Sequence, residues 1–285
     1  MVELPRTMHN ARSLKFLSVT ESNVRHLDLA KFCDLALLET MIWKRNKIRG
    51  IVNSATRPCA LYGALKYLKL SENKLKTLQL QLFAPFQQIT HLDLRNNKIH
   101  SITGTHRTLV TLQITDNKLA ESALCRWNLP RASILSLQNN VVSNVPPCLQ
   151  NWKHIHRFSL TSNELSNFSI ESVANMDSLG ELSLAWNKIE FVQLRSYQFP
   201  KNLTELNMSN NRLHQLDLSL VPVPSLRVIV DWNFITTFDV NATSPNVSAL
   251  EMSNNPIACA WKSPQERNRV QCKQVLFRTR RIPVQ

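Results

Sequence analysis

The most reactive side chains of this 285-residue chain are six cysteines and eight histidines, so disulfide pairing, metal ligation and general-base work are the chemistries to test first. Cys33, Cys59, Cys125, Cys148, Cys259 and Cys272 contain no CxxC pair, which argues against a zinc site, and no H-E-x-x-H, G-x-S-x-G or phosphate-loop signature occurs. The histidines have no recurrent partner at ligand or general-base spacing. His91 and the pair in the HIH run at 154–156 read as surface side chains of extended segments. Only 4 glycines are present, where average usage of about 7% would give about 20, so glycine-rich nucleotide loops are nearly excluded. No catalytic residue, no metal and no cofactor is expected. For the cysteines there remain pairing in an oxidising compartment or burial as small apolar thiols.

The elements that must position these side chains come from an internal repeat. The segment LKYLKLSENKL at 65–75 recurs as ITHLDLRNNKI (89–99), LVTLQITDNKL (109–119), IHRFSLTSNEL (155–165), LGELSLAWNKI (179–189) and LTELNMSNNRL (203–213). Weaker copies at 14–24, 38–48, 132–142, 225–235 and 247–257 bring the number to eleven. The alternating LxL reads as a short strand with one face inward, and stacked copies pair into a parallel sheet. The Asn column (Asn46, Asn73, Asn97, Asn117, Asn140, Asn163, Asn187, Asn211, Asn233, Asn255) turns inward to bond backbone groups of the loop that leaves the strand. Ser22 stands in that column in the first copy, whose turn is therefore expected to be the least secure. A second apolar pair follows in several copies: Leu27/Leu29, Leu78/Leu80, Phe168/Ile170, Val192/Leu194, Leu216/Leu218 and Phe238/Val240. Period two predicts extended backbone there too, with short helices near FAPFQQ and IESVANM.

The pattern LxxLxLxxNxL resembles the leucine-rich repeat family over about 85% of the chain. The expected fold is an α/β solenoid: a leucine-rich repeat horseshoe of about eleven coils with a parallel concave sheet and a convex side of short strands, turns and 3₁₀ segments. Residues 1–257 form the solenoid and 258–285 a C-terminal cap and basic tail. Cys125 and Cys148 each lie eight residues past their Asn in adjacent copies, a separation a disulfide can span. Cys33 and Cys59 occupy neighbouring copies in looser register. Asn-Pro followed by Cys259 and Cys272 resembles the Cys-closed caps of extracellular leucine-rich repeat proteins, which implies a third pairing. The convex LxL pairs and NKLxxLxL texture make the chain most similar to secreted leucine-rich repeat immune proteins of mosquitoes. That resemblance implies recognition in complement-like complexes, although no heptad segment follows the cap.

Secretion is therefore expected, although the opening MVELPR has no leader signature, so the chain is either cytosolic or begins downstream of one. No apolar run is long enough to span a bilayer. Five N-x-[ST] sites (Asn167, Asn202, Asn207, Asn241, Asn246) are about the number chance gives, so a glycoprotein is compatible with them but not indicated. Net charge is +14 with a pI near 9.9, concentrated in residues 1–150 (+11) and 256–285 (+6), where an acidic glycan contact by the ends is possible.

With the leucines inward, the residues between them form the concave surface. Its N-terminal part presents Lys44, Arg45, Lys66, Tyr67, Lys69, His91 and Arg95 with few opposing charges; its later part presents Glu181, Trp186, Glu205, Asn207, Asn210, Arg227, Ile229, Asp231 and Trp232. Trp43 takes an inward position. The column after the Asn (Lys47, Lys74, Lys98, Lys118, Lys188, Arg212) forms a basic stripe that reads first as solvated filler. Aromatics do not interleave with cations along the face, so nucleic acid is not an expected partner. These features point to a non-catalytic module that binds protein partners, another leucine-rich repeat chain among them, through its concave face. The alternatives are an adhesion or signalling receptor ectodomain and a cytosolic scaffold.

Overall fold

A computed structural model describes residues 10–257. The Cys259–Cys272 pairing, the cap and the basic tail lie outside the described residues. Eleven parallel three- to five-residue strands form one sheet in sequence order, from Phe16–Ser18 in coil 1 through Thr40–Ile42, Tyr67–Lys69, His91–Asp93, Thr111–Gln113, Ile134–Ser136, Arg157–Ser159, Glu181–Ser183, Glu205–Asn207 and Leu226–Ile229 to Val247–Glu251 in coil 11. The register is that of the repeat: Tyr67 pairs with His91, Leu68 with Leu92 and Lys69 with Asp93. In coil 3 the inward Leu65, Leu68, Leu70 and Leu75 are all fully buried, each worth about 1.5–3 kcal/mol of transfer free energy. Trp43 is buried as expected.

The Asn column does more than its own loop requires. Asn73 Nδ2 donates to Leu70 O (3.0 Å) and also to Trp43 O of the preceding coil (2.8 Å), while its Oδ1 accepts from Ile48 N (3.0 Å), again of the preceding coil. The same bonds recur from Asn46 to Asn255. Each Asn thus serves the coil before it, and this decides the fate of coil 1. Asn46 Oδ1 accepts from both Ser22 N (3.0 Å) and Val24 N (3.1 Å), so the turn that lacks its own Asn is held by the next. The residue just before each Asn sits in the left-handed region, with φ between 52° at Asn139 and 59° at Asn254. Asn and Asp tolerate that conformation best.

On the convex side, strands pair as His26–Asp28 with Gly50–Val52, Thr77–Gln79 with Ser101–Thr105 and then Trp127–Asn128, and Asn167–Ser169 with Phe191–Gln193. The expected LxL strands are corrected in two ways. In three coils only the first apolar residue lies in a strand, and the second opens a 3₁₀ turn, at Leu29–Phe32, Leu80–Phe83 and Ile170–Val173. The chain must reverse there to start the next coil, and i→i+3 bonds satisfy its backbone as it does so. Around Leu216/Leu218 and Phe238/Val240 no strand forms; segments 215–217 and 236–239 instead line an open cleft of about 580 Å³. The prolines Pro222 and Pro224 in this stretch have no N–H to donate to a ladder. The short helices expected near FAPFQQ and IESVANM are the 3₁₀ turns Leu80–Phe83 and Ile170–Val173, and the short α-helix Glu121–Leu124 lies outside both. Cys33 is bonded to Cys59 (Cα–Cα 4.3 Å) and Cys125 to Cys148 (5.5 Å), each tying adjacent coils. Among the described residues no helix is long and apolar enough to cross a membrane.

Candidate functional site

The strands place the expected concave residues on one surface, and the first correction concerns charge. Lys44 Nζ lies 3.1 Å from Glu72, Arg45 bonds both Glu72 (2.7 Å) and Glu21 (3.1 Å), Lys66 lies 3.1 Å from Glu39, and Arg95 lies 2.9 Å from Asp93. Of the five cations expected to form a basic patch, only Lys69 has no ion pair among the described residues. The opposing carboxylates were missed because they sit in other columns or neighbouring coils. Glu72 stands at the same repeat position as Arg45 one coil on, a proximity that column-by-column alignment makes readable. Hydrogen bonds from Arg45 and then Lys44 hold the Glu72 carboxyl below the ordinary range, against the small opposite effect of burial. Tyr67 and His91 stack obliquely with ring centroids 4.8 Å apart, and His91 Nδ1 lies 2.9 Å from Thr90 Oγ1.

The later coils are built differently. Trp186 and Trp232 are 62% and 59% exposed, so neither indole folds back over its turn. Both occupy the left-handed turn position, with φ of 56° and 57°, and Asn210 lies between them at 55°. The turn backbone is itself laddered, since Trp186 N donates to Ser209 O (2.9 Å), Asn210 N to Asp231 O (2.8 Å) and Trp232 N to Ser253 O (2.9 Å). At two coil spacings the Trp backbones stand about 10 Å apart. Phe234, absent from the sequence reading, adds a third exposed ring two residues past Trp232, stacked on His214 at 5.7 Å. Beside the indoles Arg227 bridges Glu205 (3.0 Å) and Glu251 (2.9 Å), and Arg157 bonds Glu181 (3.0 Å). Asp231 Oδ1 accepts from Ser253 N, which ties coil 10 to coil 11. Ile229 and Asn207 are half-buried, and Asn207 Oδ1 accepts from Ser209 N and Oγ.

Of the histidines in the HIH run, His156 has its ring on Gly180 of the next coil, where a Cβ would meet Cε1 at 2.4 Å, and its Nδ1 lies 3.1 Å from Ser178 O. That glycine is the space the ring occupies. Among the described residues no group of three or more His, Cys, Asp or Glu is placed to hold a metal ion.

Residues 60–99 match the family described as Leucine rich repeat, and residues 202–226 match one described as Leucine Rich Repeat. Osteomodulin of Bos taurus is 24% identical over 223 residues, covering 74% of this chain and 49% of its own length. Keratocan of Bos taurus is 25% identical over 70% of this chain and 53% of its own length. The chain therefore spans about half the length of the curated relatives it matches. Among solved structures, the leucine-rich repeat domain of mosquito APL1B superposes with a TM-score of 0.61 at 20% identity, over 90% of this chain and 73% of that one. The resemblance read from the repeat, and the horseshoe it implied, are borne out.

Proposed function

We propose that this leucine-rich repeat solenoid is a secreted, non-catalytic module that binds a protein partner on the concave face of its C-terminal coils, around Trp186, Asn210 and Trp232. The observation that carries the reading is the pair of indoles. A left-handed backbone costs an ordinary L-residue about 1–2 kcal/mol, and a largely exposed ring returns nothing to the core. The same turn position holds Asn in coils 4, 6, 9 and 11, the residue local conformation favours. Two tryptophans in its place, two coils apart on one surface, gain their compensation from a partner; tryptophan is among the residue types most enriched at interface hot spots. Glu181, Glu205, Arg227 and Asp231 form the polar rim. Lys44, Arg45, Lys66, Tyr67, Lys69, His91 and Arg95 form a second, charge-compensated contact zone.

The two inter-coil disulfides support an oxidising, extracellular setting. Similarity to the mosquito proteins supports innate-immune recognition of the complement-like kind, with a second leucine-rich repeat chain as partner. A receptor ectodomain would use the same surface.

The test is kinetic. A partner captured from extracellular fluid is bound to wild type and to Trp186→Ala and Trp232→Ala, each of which is expected to dissociate about 30-fold faster, equivalent to about 2 kcal/mol. Val141→Ala, an exposed apolar residue on the flank of coil 6, is expected to change neither rate. Unchanged dissociation in both Trp variants overturns the reading. Reactive thiols at Cys33, Cys59, Cys125 and Cys148 in native protein denatured without reductant would overturn secretion.

A further inference from the structure

Among the described residues, carboxylates neutralise most of the positive charge on the concave face, and a run of unpaired cations stands on the flank that leaves the sheet. The position after each buried Asn holds Lys47, Lys74, Lys98 and Lys118 in four successive coils. Two residues further along the same segments stand Arg49, Lys76 and His100, with Arg25 in the coil before. All eight side chains are exposed. The residue between the two columns, Val24, Ile48, Leu75, Ile99 or Leu119, is buried in every coil. Period-two alternation therefore turns both columns to solvent on one flank.

The backbone beneath them is laddered from coil to coil: Lys47 N donates to Val24 O, Lys74 N to Ile48 O, Lys98 N to Leu75 O and Lys118 N to Ile99 O, each at 2.9 Å. Arg49 N donates to Arg25 O and His100 N to Lys76 O in the second column. Rows repeat about every 4.8 Å and the columns stand about 6.6 Å apart. Among the described residues none of these Lys or Arg side chains forms an ion pair. In the C-terminal coils the same columns behave otherwise, with Lys188 beside Glu164 and Arg212 beside Glu190.

We infer that this two-column ribbon on coils 1–5 binds a linear sulfated polysaccharide, independently of the Trp surface. The ribbon offers a narrow track of registered, uncompensated Lys and Arg side chains, with His100 at the end of one column. Its one ring, His100, stands alone, so it has no row of aromatic side chains on which successive nucleic-acid bases would stack. It has no exposed apolar anchor of the kind that carries protein interfaces or inserts into a bilayer. A polymer with anionic groups on successive sugar units, and with neither bases nor apolar side chains, needs only charge in register. Sulfate keeps that charge at all physiological pH, and Lys and Arg donors meet its oxygens in charge-assisted hydrogen bonds.

The experiment uses the whole chain and heparin as probe. Wild type is expected to bind immobilised heparin with a steep fall in affinity as salt rises, because bound cations release counterions. Lys74→Gln/Lys76→Gln/Lys98→Gln, three exposed changes that spare the core, is expected to weaken binding about 10- to 100-fold near physiological salt and to shallow the salt slope by about two. Lys188→Gln/Arg212→Gln on the C-terminal flank is expected to bind as wild type. A third variant changes Lys273, Arg278, Arg280 and Arg281 to Gln. If that variant loses heparin while the ribbon variant keeps it, the tail and not the ribbon is the site and the proposal fails. It fails equally if the single-stranded oligonucleotide dT20 competes for the ribbon as well as heparin does, or if unsulfated hyaluronan binds as tightly.

Discussion

In coil 3 the left-handed turn position holds Glu72, whose carboxylate draws in Lys44 and Arg45; in coil 8 it holds Trp186, whose ring stands in solvent. The φ values of the two residues are 57° and 56°, and the Asn that follows makes the same set of bonds in both. The flanks differ in the opposite sense. Cations stay uncompensated on coils 1–5, and their equivalents are paired on coils 8 and 9. One backbone thus carries two surfaces: a compensated concave face with a cationic flank at one end, and an aromatic concave face with a neutralised flank at the other. In a solenoid the inward positions fix the stacking and leave the outward ones free, so each region of the surface can serve a different partner without altering the fold.

The comparison breaks most visibly if the two halves are not held alike. Asn73→Ala and Asn211→Ala each remove an amide that bonds three carbonyls and one N–H, stranding buried backbone groups at about 1–3 kcal/mol apiece. Both are expected to lower stability by at least about 3 kcal/mol, and by the same amount, in urea unfolding followed by circular dichroism. A loss confined to one of them would mean that the ladder does not support the halves equally.

A smaller effect separates stability from binding in the C-terminal half. Trp232→Asn puts a residue suited to the left-handed turn in place of an exposed ring, and is expected to raise unfolding stability by about 1 kcal/mol while weakening the partner complex. If the same variant destabilises the fold, the indole is part of the structure and its exposure is not a sign of a partner.

The smallest effect sharpens the N-terminal side. Hydrogen bonds from Arg45, then Lys44, lower the Glu72 pKa below its unfolded value. The stabilisation it reports is therefore present above the unfolded carboxyl pKa and lost as pH falls through the lower folded one. An NMR titration is expected to place Glu72 below an ordinary glutamate, and Arg45→Gln to return it toward that range. An unshifted Glu72 would leave Lys44 uncompensated and Arg45 held by Glu21 alone, and this end of the concave face would be more basic than the ion pairs make it.

Much of the fold was legible because its determinants recur. Eleven copies of one pattern specify strand and inward apolar residues redundantly, ten of them the Asn turn as well, and equal offsets from the Asn column located the Cys125–Cys148 pair. The convex side was less legible, because Leu29, Leu80 and Ile170 belong to the same apolar period whether the chain continues as a strand or closes a 3₁₀ turn. For the candidate site, sequence columns put Trp186 and Trp232 at one repeat position, where both indoles are exposed, and did not single out Phe234, two residues past Trp232. They also overstated the N-terminal charge: Glu39 stands in the Lys66 column one coil earlier and Asp93 in the Lys69 column one coil on, and only the cations of those columns were counted.

By itself the sequence determined the coil, its stacking direction and which side chains face out, because period two and the repeat length leave no other way to bury the leucines. Only the tertiary structure decided which outward charges are spent on one another. Ion pairing depends on a few ångströms between side chains from different coils, and each Asn reaches back to the coil before its own. The sequence records one coil at a time, whereas net charge at a surface and the security of a turn belong to neighbours that sequence holds about two dozen residues apart.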